Sequence, residues 1–409
     1  MTAPSPHLDP GPRDAADPLA GLRARFVGAD APLVYFDGNS LGRPLACTAG
    51  RLARFVEEEW GGRLIRGWDE RWLGLPQQIG DDLGRVVLGA APGQTVVGDS
   101  TTVWLYKLLR AAVDAQLRRD PARTEIVIDT DNFPTDRYIA EGVADERGCT
   151  VRWVEVDPAL GLTADLLEPV VGERTAVVLF SQVAYRSAFL ADVPALTRIA
   201  HDAGALVLLD LCHSAGAVPI ELDAWQVDLA AGCTYKYLDG GPGSPAYGYV
   251  AQRHHGHLTQ PIQGWMGHAE PFAMGPGYEP ATGIRGFVSG SHPILGMLAM
   301  QDMIELIDEA GLGAVRAKSV TLTEYAIELA EAWLTPLGVR LASPRDPAWR
   351  GGHVSFNHPR MREVVAALWQ RDVLPDYRDP HGLRVGLSPL STSFEEVHRG
   401  LAEVRGMLR

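Results

Sequence analysis

From about residue 100 to residue 250, short apolar runs alternate with amphipathic stretches. The runs EIVIDT (125–130), VRWVEV (151–156), TAVVLF (175–180), ALVLLD (205–210), DLAAGC (228–233) and YGYVAQ (247–252) read as strands, and helical spacing covers 102–119, 136–147 and 192–204 between them. Strands that are apolar throughout, rather than at alternate positions, have no face to offer water. Separated by helices, they predict a mostly parallel sheet covered on both sides. The class is α/β, with its functional edge at the carboxyl ends of the strands.

Beyond about residue 290 the pattern changes. PILGMLAMQDMIELIDEAG (293–311) and VRAKSVTLTEYAIELAEAWL (315–334) both carry helical periodicity, and the tail reads as strand (352–357), helix (359–371), strand (382–387) and helix (394–408). This predicts linking helices and a small C-terminal α/β domain over 293–409, after a large domain over 46–292. The first 20 residues, MTAPSPHLDPGPRDAADPLA, are rich in Pro, Ala and Asp and have neither a basic start nor an apolar core, so they do not read as a signal peptide. They predict a flexible arm over 1–18, followed by a segment (19–45) that joins the small domain.

A chain of 409 residues with 46% hydrophobic and 22% charged residues can bury the core that such a plan needs. Its formal charge of −14 argues against nucleic acid or an anionic membrane surface as a partner. No apolar run approaches the roughly 18 residues of a membrane span. Cys47, Cys149, Cys212 and Cys233 are widely spaced, without metal-ligand spacing, which predicts reduced thiols in a cytoplasmic protein and no metal site.

Four stretches carry candidate chemistry. In CTYKYLDGGPGSPAYGYV (233–250), Lys236 stands where a strand runs into a glycine-rich turn. It reads either as a solvated loop lysine or as a desolvated amine fit for a covalent bond to a carbonyl. In LVLLDLCHSAG (206–216), Asp210 ends a strongly apolar strand and His213 follows. Such an acid needs a partner: an arginine, a helix that it caps, or the protonated ring nitrogen of pyridoxal 5′-phosphate (PLP). In VVGDSTTVWLYKLL (96–109), Ser100, Thr101 and Thr102 open a helix, as a plain cap or a phosphate site. In DNFPTDRYIAEG (131–142), Phe133 follows a strand and precedes a helix, placed to stack on a flat ring or to fill the core, and Asp136 stands ready to cap the helix or to bond a cofactor oxygen.

Taken together, a phosphate-type helix start, an aromatic, a strand-end Asp and a strand-end Lys follow one another along one parallel sheet. That order resembles the plan of aspartate-aminotransferase-like (fold type I) PLP enzymes. The segments VYFDGNSLGRPL (34–45), NFPTD (132–136), LLDLCHSAG, TYKYLDGGPGSPAY, QGWMGH (263–268), GFVSGSHPIL (286–295) and GLRVGLSPL (382–390) resemble the kynureninase family, and LIRGWDERWLGLPQQIG (64–80) resembles its bacterial branch.

The resemblance implies a large, mostly parallel seven-stranded sheet domain with a small C-terminal α/β domain. It also implies PLP as cofactor, a small amino-acid substrate, a cytoplasmic homodimer with shared active sites, and a place in tryptophan breakdown. The expected activity is hydrolytic Cβ–Cγ cleavage of kynurenine, or a ring-substituted kynurenine such as 3-hydroxykynurenine, to an anthranilate and L-alanine. A β-lyase, desulfurase or aminotransferase of the same fold is the alternative. By the same resemblance Lys236 makes the imine link to the cofactor, Asp210 pairs with its ring nitrogen, and Phe133 stacks on the ring with His213 and Asp136 nearby. Thr101, Thr102, Ser181 and Tyr235 surround the phosphate and ring, Tyr235 relays protons, and Trp265 and Ser291 approach from the partner subunit. Arg384 clamps the substrate carboxylate, and Ser40 and Trp68 line the pocket for its aromatic end. The sequence departs from the family pattern at Trp104, Ala184, Ser187, Ala188 and Ser391.

Overall fold

The computed structural model describes residues 8–409. Its large sheet contains β1 (Thr95–Gly98), β2 (Glu125–Asp129), β3 (Thr150–Val154), β4 (Thr175–Ser181), β5 (Leu206–Asp210), β6 (Leu229–Gly232) and β7 (Ala246–Val250). The order across the sheet is β1-β7-β6-β5-β4-β2-β3, and β7 alone runs antiparallel to its neighbours. The central strands are buried on both sides because consecutive residues serve different cores, whereas the edge strand β3 is largely exposed. Val177 and Leu179 pack with Trp104, Leu105 and Leu108 of α1 (Thr101–Arg119) and with Ala140 and Val143 of α2 (Pro134–Arg147). Val178 and Phe180 face the opposite cluster, which holds Leu196 of α3 (Val193–Asp202) and Met297 and Met300 of α4 (Ile294–Ala310).

A second, four-stranded antiparallel sheet holds β8 (Arg340–Leu341), β9 (His353–Asn357), β10 (Asp376–Arg378) and β11 (Gly382–Gly386), in the order β10-β11-β9-β8. Its core is shared with α5 (Leu312–Trp333), α6 (Met361–Trp369) and α7 (Phe394–Leu408). Near the start of the chain Val34–Tyr35 pairs in parallel with Val373–Leu374, and Phe36 NH donates to the Leu374 carbonyl at 3.0 Å. The backbone just before the GNSLG segment is thereby pinned to the small sheet.

The expectation of a loose arm over 1–18 does not hold for 8–18; residues 1–7 lie outside the described residues. Gly11–Ala15 is helical, and Leu8 is buried with its carbonyl accepting the Tyr325 hydroxyl at 2.8 Å. The Asp14 carboxylate accepts the backbone NH groups of Phe394 and Glu395, at 2.8 and 2.9 Å, at the open start of α7. Asp17 pairs with the buried Lys318 at 2.7 Å. A Pro- and Asp-rich composition suggests solvation, but here the carboxylates satisfy groups more than 300 residues away.

Candidate active site

Strand register builds the floor of the site. The pairing of β4 with β5 sets Ser181 directly beside Asp210, and the Ser181 hydroxyl bridges Asp210 Oδ2 and Asn132 Oδ1 at 3.1 Å each. Asp210 Oδ1 accepts the Cys212 NH at 2.8 Å. No cationic side chain forms an ion pair with Asp210 among the described residues. A carboxylate that is 5% exposed therefore ends a strand with only neutral donors around it.

Lys236 follows β6 and is 8% exposed. Its turn is fixed on three sides. The Thr234 hydroxyl bonds the Ser244 hydroxyl at 2.7 Å and the Pro245 carbonyl at 2.6 Å, and Gly42 NH donates to the Tyr235 carbonyl at 2.8 Å. At Gly42 of the GNSLG segment a Cβ would come within 2.5 Å of the Lys236 carbonyl oxygen, so glycine is what lets that segment close over the lysine. Gly241, at φ +84°, reverses the chain after the turn.

Lys236 Nζ lies 3.3 Å from His213 Nδ1 and 5.8 Å from the centre of the Phe133 ring, whose other neighbour is Tyr185, edge-on at 5.3 Å. Burial, with Lys236 and Arg384 beside it, holds the His213 imidazole well below its usual range, so it is neutral at neutral pH. Asp136, in the first turn of α2, is buried with Oδ2 lacking any hydrogen-bond partner. Burial and the nearby Asp210 and Asp129 push its carboxyl well above the usual value. Burial also pushes Asp129 up to about 6.

Adjoining this cluster is a cavity of about 500 Å³, lined by Ser100, Thr101, Thr102, Tyr235, Ser289 and Ser291 among others. It lies at the amino terminus of α1, where Ser100 caps the Val103 NH at 3.4 Å and the helix dipole favours an anion. Lys236 does not line the cavity. Its Nζ lies 6.0 Å from the ring centre of Tyr235, which does. Burial raises the Tyr235 phenol well above its usual value, so the hydroxyl keeps its proton at neutral pH.

On the other side of His213 lies Arg384, 1% exposed, in β11. Its Nη1 donates to the Tyr185 carbonyl at 2.8 Å, its Nη2 donates to Ser40 Oγ at 2.7 Å and lies 2.6 Å from Asp376 Oδ2, and its Nε has no acceptor.

Lys236, Asp210, Phe133, Asp136, Ser181, His213, Ser40 and Arg384 thus form one connected cluster, with Tyr235, Thr101, Thr102 and Ser291 around the adjoining cavity. Ser181 sits at the Asp210 end of the cluster. Two expected residues stand apart in the single chain. Trp68 packs edge-on against Trp72 at 5.5 Å and reaches the cavity only through His292, 6.4 Å away. Trp265 packs on Phe272 and is 39% exposed.

No sequence motif marks His353, fully buried with its ring 5.6 Å from that of His213. Nor does one mark Asp376 beside Arg384, or the buried Lys107 behind the cavity wall. Each acts through contacts that no local motif encodes.

The chain matches the family model for the kynureninase C-terminal domain over residues 315–404. It is 42% identical to the kynureninase of Pseudomonas fluorescens over 388 residues, covering 94% of this chain and 91% of that one. With the kynureninase of Burkholderia pseudomallei (strain 1106a) it shares 41% identity over 398 residues, or 97% and 94% of the two chains. Among solved structures, a C-DES variant with glycine covalently linked to its PLP cofactor superposes with a TM-score of 0.83 at 19% identity, over 94% of this chain and 98% of that one. An apo cysteine desulfurase from Thermococcus onnurineus NA1 gives 0.78 at 19% identity, over 95% and 97%. Those two likenesses establish a shared fold of the type I PLP enzymes. Identity above 40% along almost the entire length of both curated relatives goes further, and the chain belongs to the kynureninase family.

Proposed function

We propose that this protein is a PLP-dependent hydrolase that cleaves the Cβ–Cγ bond of kynurenine or a ring-substituted kynurenine, releasing an anthranilate and L-alanine. The observation that carries the reading is the presence, in one buried cluster, of a lysine and a strand-end aspartate that lacks a cationic partner, in a chain of this family.

The residues present fit PLP. The Asp210 carboxylate would hold the protonated ring nitrogen, Phe133 would cover one ring face, and the Lys236 amine would make the covalent link. Asp136, with its unpartnered Oδ2, would meet a polar edge of the cofactor. The cavity at the α1 amino terminus, with the hydroxyls of Thr101 and Thr102, suits the phosphate. When bound, PLP supplies an electron-withdrawing ring that stabilises negative charge on the substrate carbons next to the amino group.

The chain's own residues do the remainder. The unpartnered Nε of Arg384 is a buried donor that suits the substrate carboxylate, and Tyr185, Ser40 and Asp376 hold the guanidinium in place. The Lys236 amine would accept the proton from the substrate α-carbon. His213 is neutral and so adds no positive charge beside that amine. The protonated Tyr235 hydroxyl donates to the ketone oxygen at Cγ while water attacks that carbon. The bond to Cβ then breaks, Cβ takes up the proton that the attacking water gives up, and Lys236 returns the α-proton, so that the aryl carboxylate is one product and alanine the other.

A homodimer belongs to the same proposal, with Trp265 reaching the partner's site; Ser291, expected from the partner, lines the cavity of its own chain. In support, Ile262, Trp265, Phe272 and Met274 are exposed on one segment, a patch suited to burial against a second copy. Four unpaired cysteines support a reducing, cytoplasmic setting. The direct test is a fluorescence assay of the PLP-loaded protein with kynurenine and, in parallel, 3-hydroxykynurenine. The proposal predicts release of the corresponding anthranilate from at least one, and turnover of neither would contradict it.

A further inference from the structure

Behind the wall of the phosphate-type cavity, Lys107 is 0% exposed, in the second turn of α1. A buried ammonium is costly unless its donors are used, and here they are. Nζ lies 2.6 Å from Asp99 Oδ2, 2.6 Å from the Phe287 carbonyl and 3.3 Å from Ser289 Oγ. It also stands 3.7 Å above the centre of the Trp104 ring. Ser289 Oγ donates to the same Asp99 oxygen at 3.1 Å, and Trp104 Nε1 donates to the Gly98 carbonyl at 2.7 Å.

These contacts join the two walls of the cavity. Asp99 belongs to the loop between β1 and α1 that leads into Thr101 and Thr102; Ser289 belongs to the opposite wall, two residues before Ser291. Asp99 is in the left-handed region at φ +49°, which aspartate enters more readily than most side chains, so the loop turns sharply there. Its carboxylate also puts a negative charge on the rim of a site that would take a phosphate. Lys107 bears on both, since one ammonium neutralises that charge and ties the loop to the facing wall. Trp104 braces the arrangement from the preceding turn.

The geometry points to Lys107 as the positioning residue for the phosphate end of the cofactor. It sets the shape and charge of the Asp99–Thr102 loop and of the Phe287–Ser291 wall without touching the ligand. This rests on the reading of the cavity as the PLP phosphate site.

The test is an absorbance titration of the cofactor-free protein with PLP and, separately, with pyridoxal, which has the same ring and aldehyde without the phosphate. The quantity read is the ratio of the two dissociation constants. In Lys107→Met an unpaired Asp99 charge faces the phosphate, so the preference for PLP over pyridoxal is expected to fall by about tenfold or more, with pyridoxal affinity nearly unchanged. In Asp99→Asn the acceptor for Lys107 remains but the negative charge is gone, so the preference is expected to rise about threefold. A merely structural lysine would weaken both ligands equally. Should Lys107→Met not fold, Asp99→Asn decides alone. A wild-type protein without preference for PLP would remove the phosphate site itself and this proposal with it. A strong wild-type preference that neither variant changes would overturn the role of Lys107 and leave the site standing.

Discussion

Arg384 is the clearest case of a residue whose surroundings define its use. A guanidinium buried to 1% exposure, with Asp376 on one nitrogen and Nε open, is preorganised for a carboxylate. Lysine cannot reproduce that fork. Arg384→Lys is therefore expected to raise KM for the amino-acid substrate by roughly tenfold to a hundredfold, the loss of about 1.5–3 kcal/mol of charged hydrogen bonding, with a smaller effect on kcat. Steady-state kinetics checks this, and an unchanged KM would contradict it. Lys236→Ala should lose the adduct that borohydride fixes between protein and PLP; survival of that adduct would point to another lysine. Lys236 and Asp210 are legible in the sequence because each stands where an apolar strand ends, and Arg384 is legible only through the resemblance of GLRVGLSPL to the family. His353 and Lys107 are not. His353 sits in a run that reads as an ordinary small-domain strand, and the partners of Lys107 lie at Asp99, Phe287 and Ser289, a spacing that no motif describes.

Among the elements, the central strands were legible because burial on both faces leaves nothing but apolar residues, as in TAVVLF and ALVLLD. β1 gives no clear strand signal, because it is four residues long, ends on Gly98 and runs straight into Asp99. β10 was missed because it is three residues long and polar. The misread element with the greatest energetic consequence is the start of the chain. A protein beginning at residue 19 would lose the partner of Lys318, the cap that Asp14 gives α7 and the buried Leu8. Stranding a buried lysine alone costs about 3–5 kcal/mol. Urea unfolding of that truncated chain is expected to show a loss of at least about 3 kcal/mol, whereas a solvated arm would leave the midpoint unchanged.

For the whole molecule, several buried groups couple stability to pH. Burial holds His213 and His353 well below the usual imidazole range and lowers His292 to about 4. In the unfolded chain each takes a proton as pH falls below about 6.5, while the folded chain does not, so each withdraws stability on acidification. Asp129, raised to about 6, works in the opposite direction: the folded chain holds its proton at higher pH, and its contribution is lost as pH rises toward 6. A mutant difference isolates one group from this balance. His353→Phe is expected to gain on the wild type by about 1.4 kcal/mol for each pH unit below 6, as read by urea unfolding at several pH values. A difference that does not vary with pH would contradict the burial of a neutral His353.

The same scale decides the function, since both domains and the cofactor must act together for a carbon–carbon bond to break. The measurement that bears most directly on it is product analysis of one reaction mixture, with PLP-loaded protein and kynurenine, by chromatography. Cβ–Cγ hydrolysis predicts anthranilate and alanine in equal amounts, and neither product with Lys236→Ala. Consumption of kynurenine that yields a keto acid or ammonia without anthranilate would contradict it.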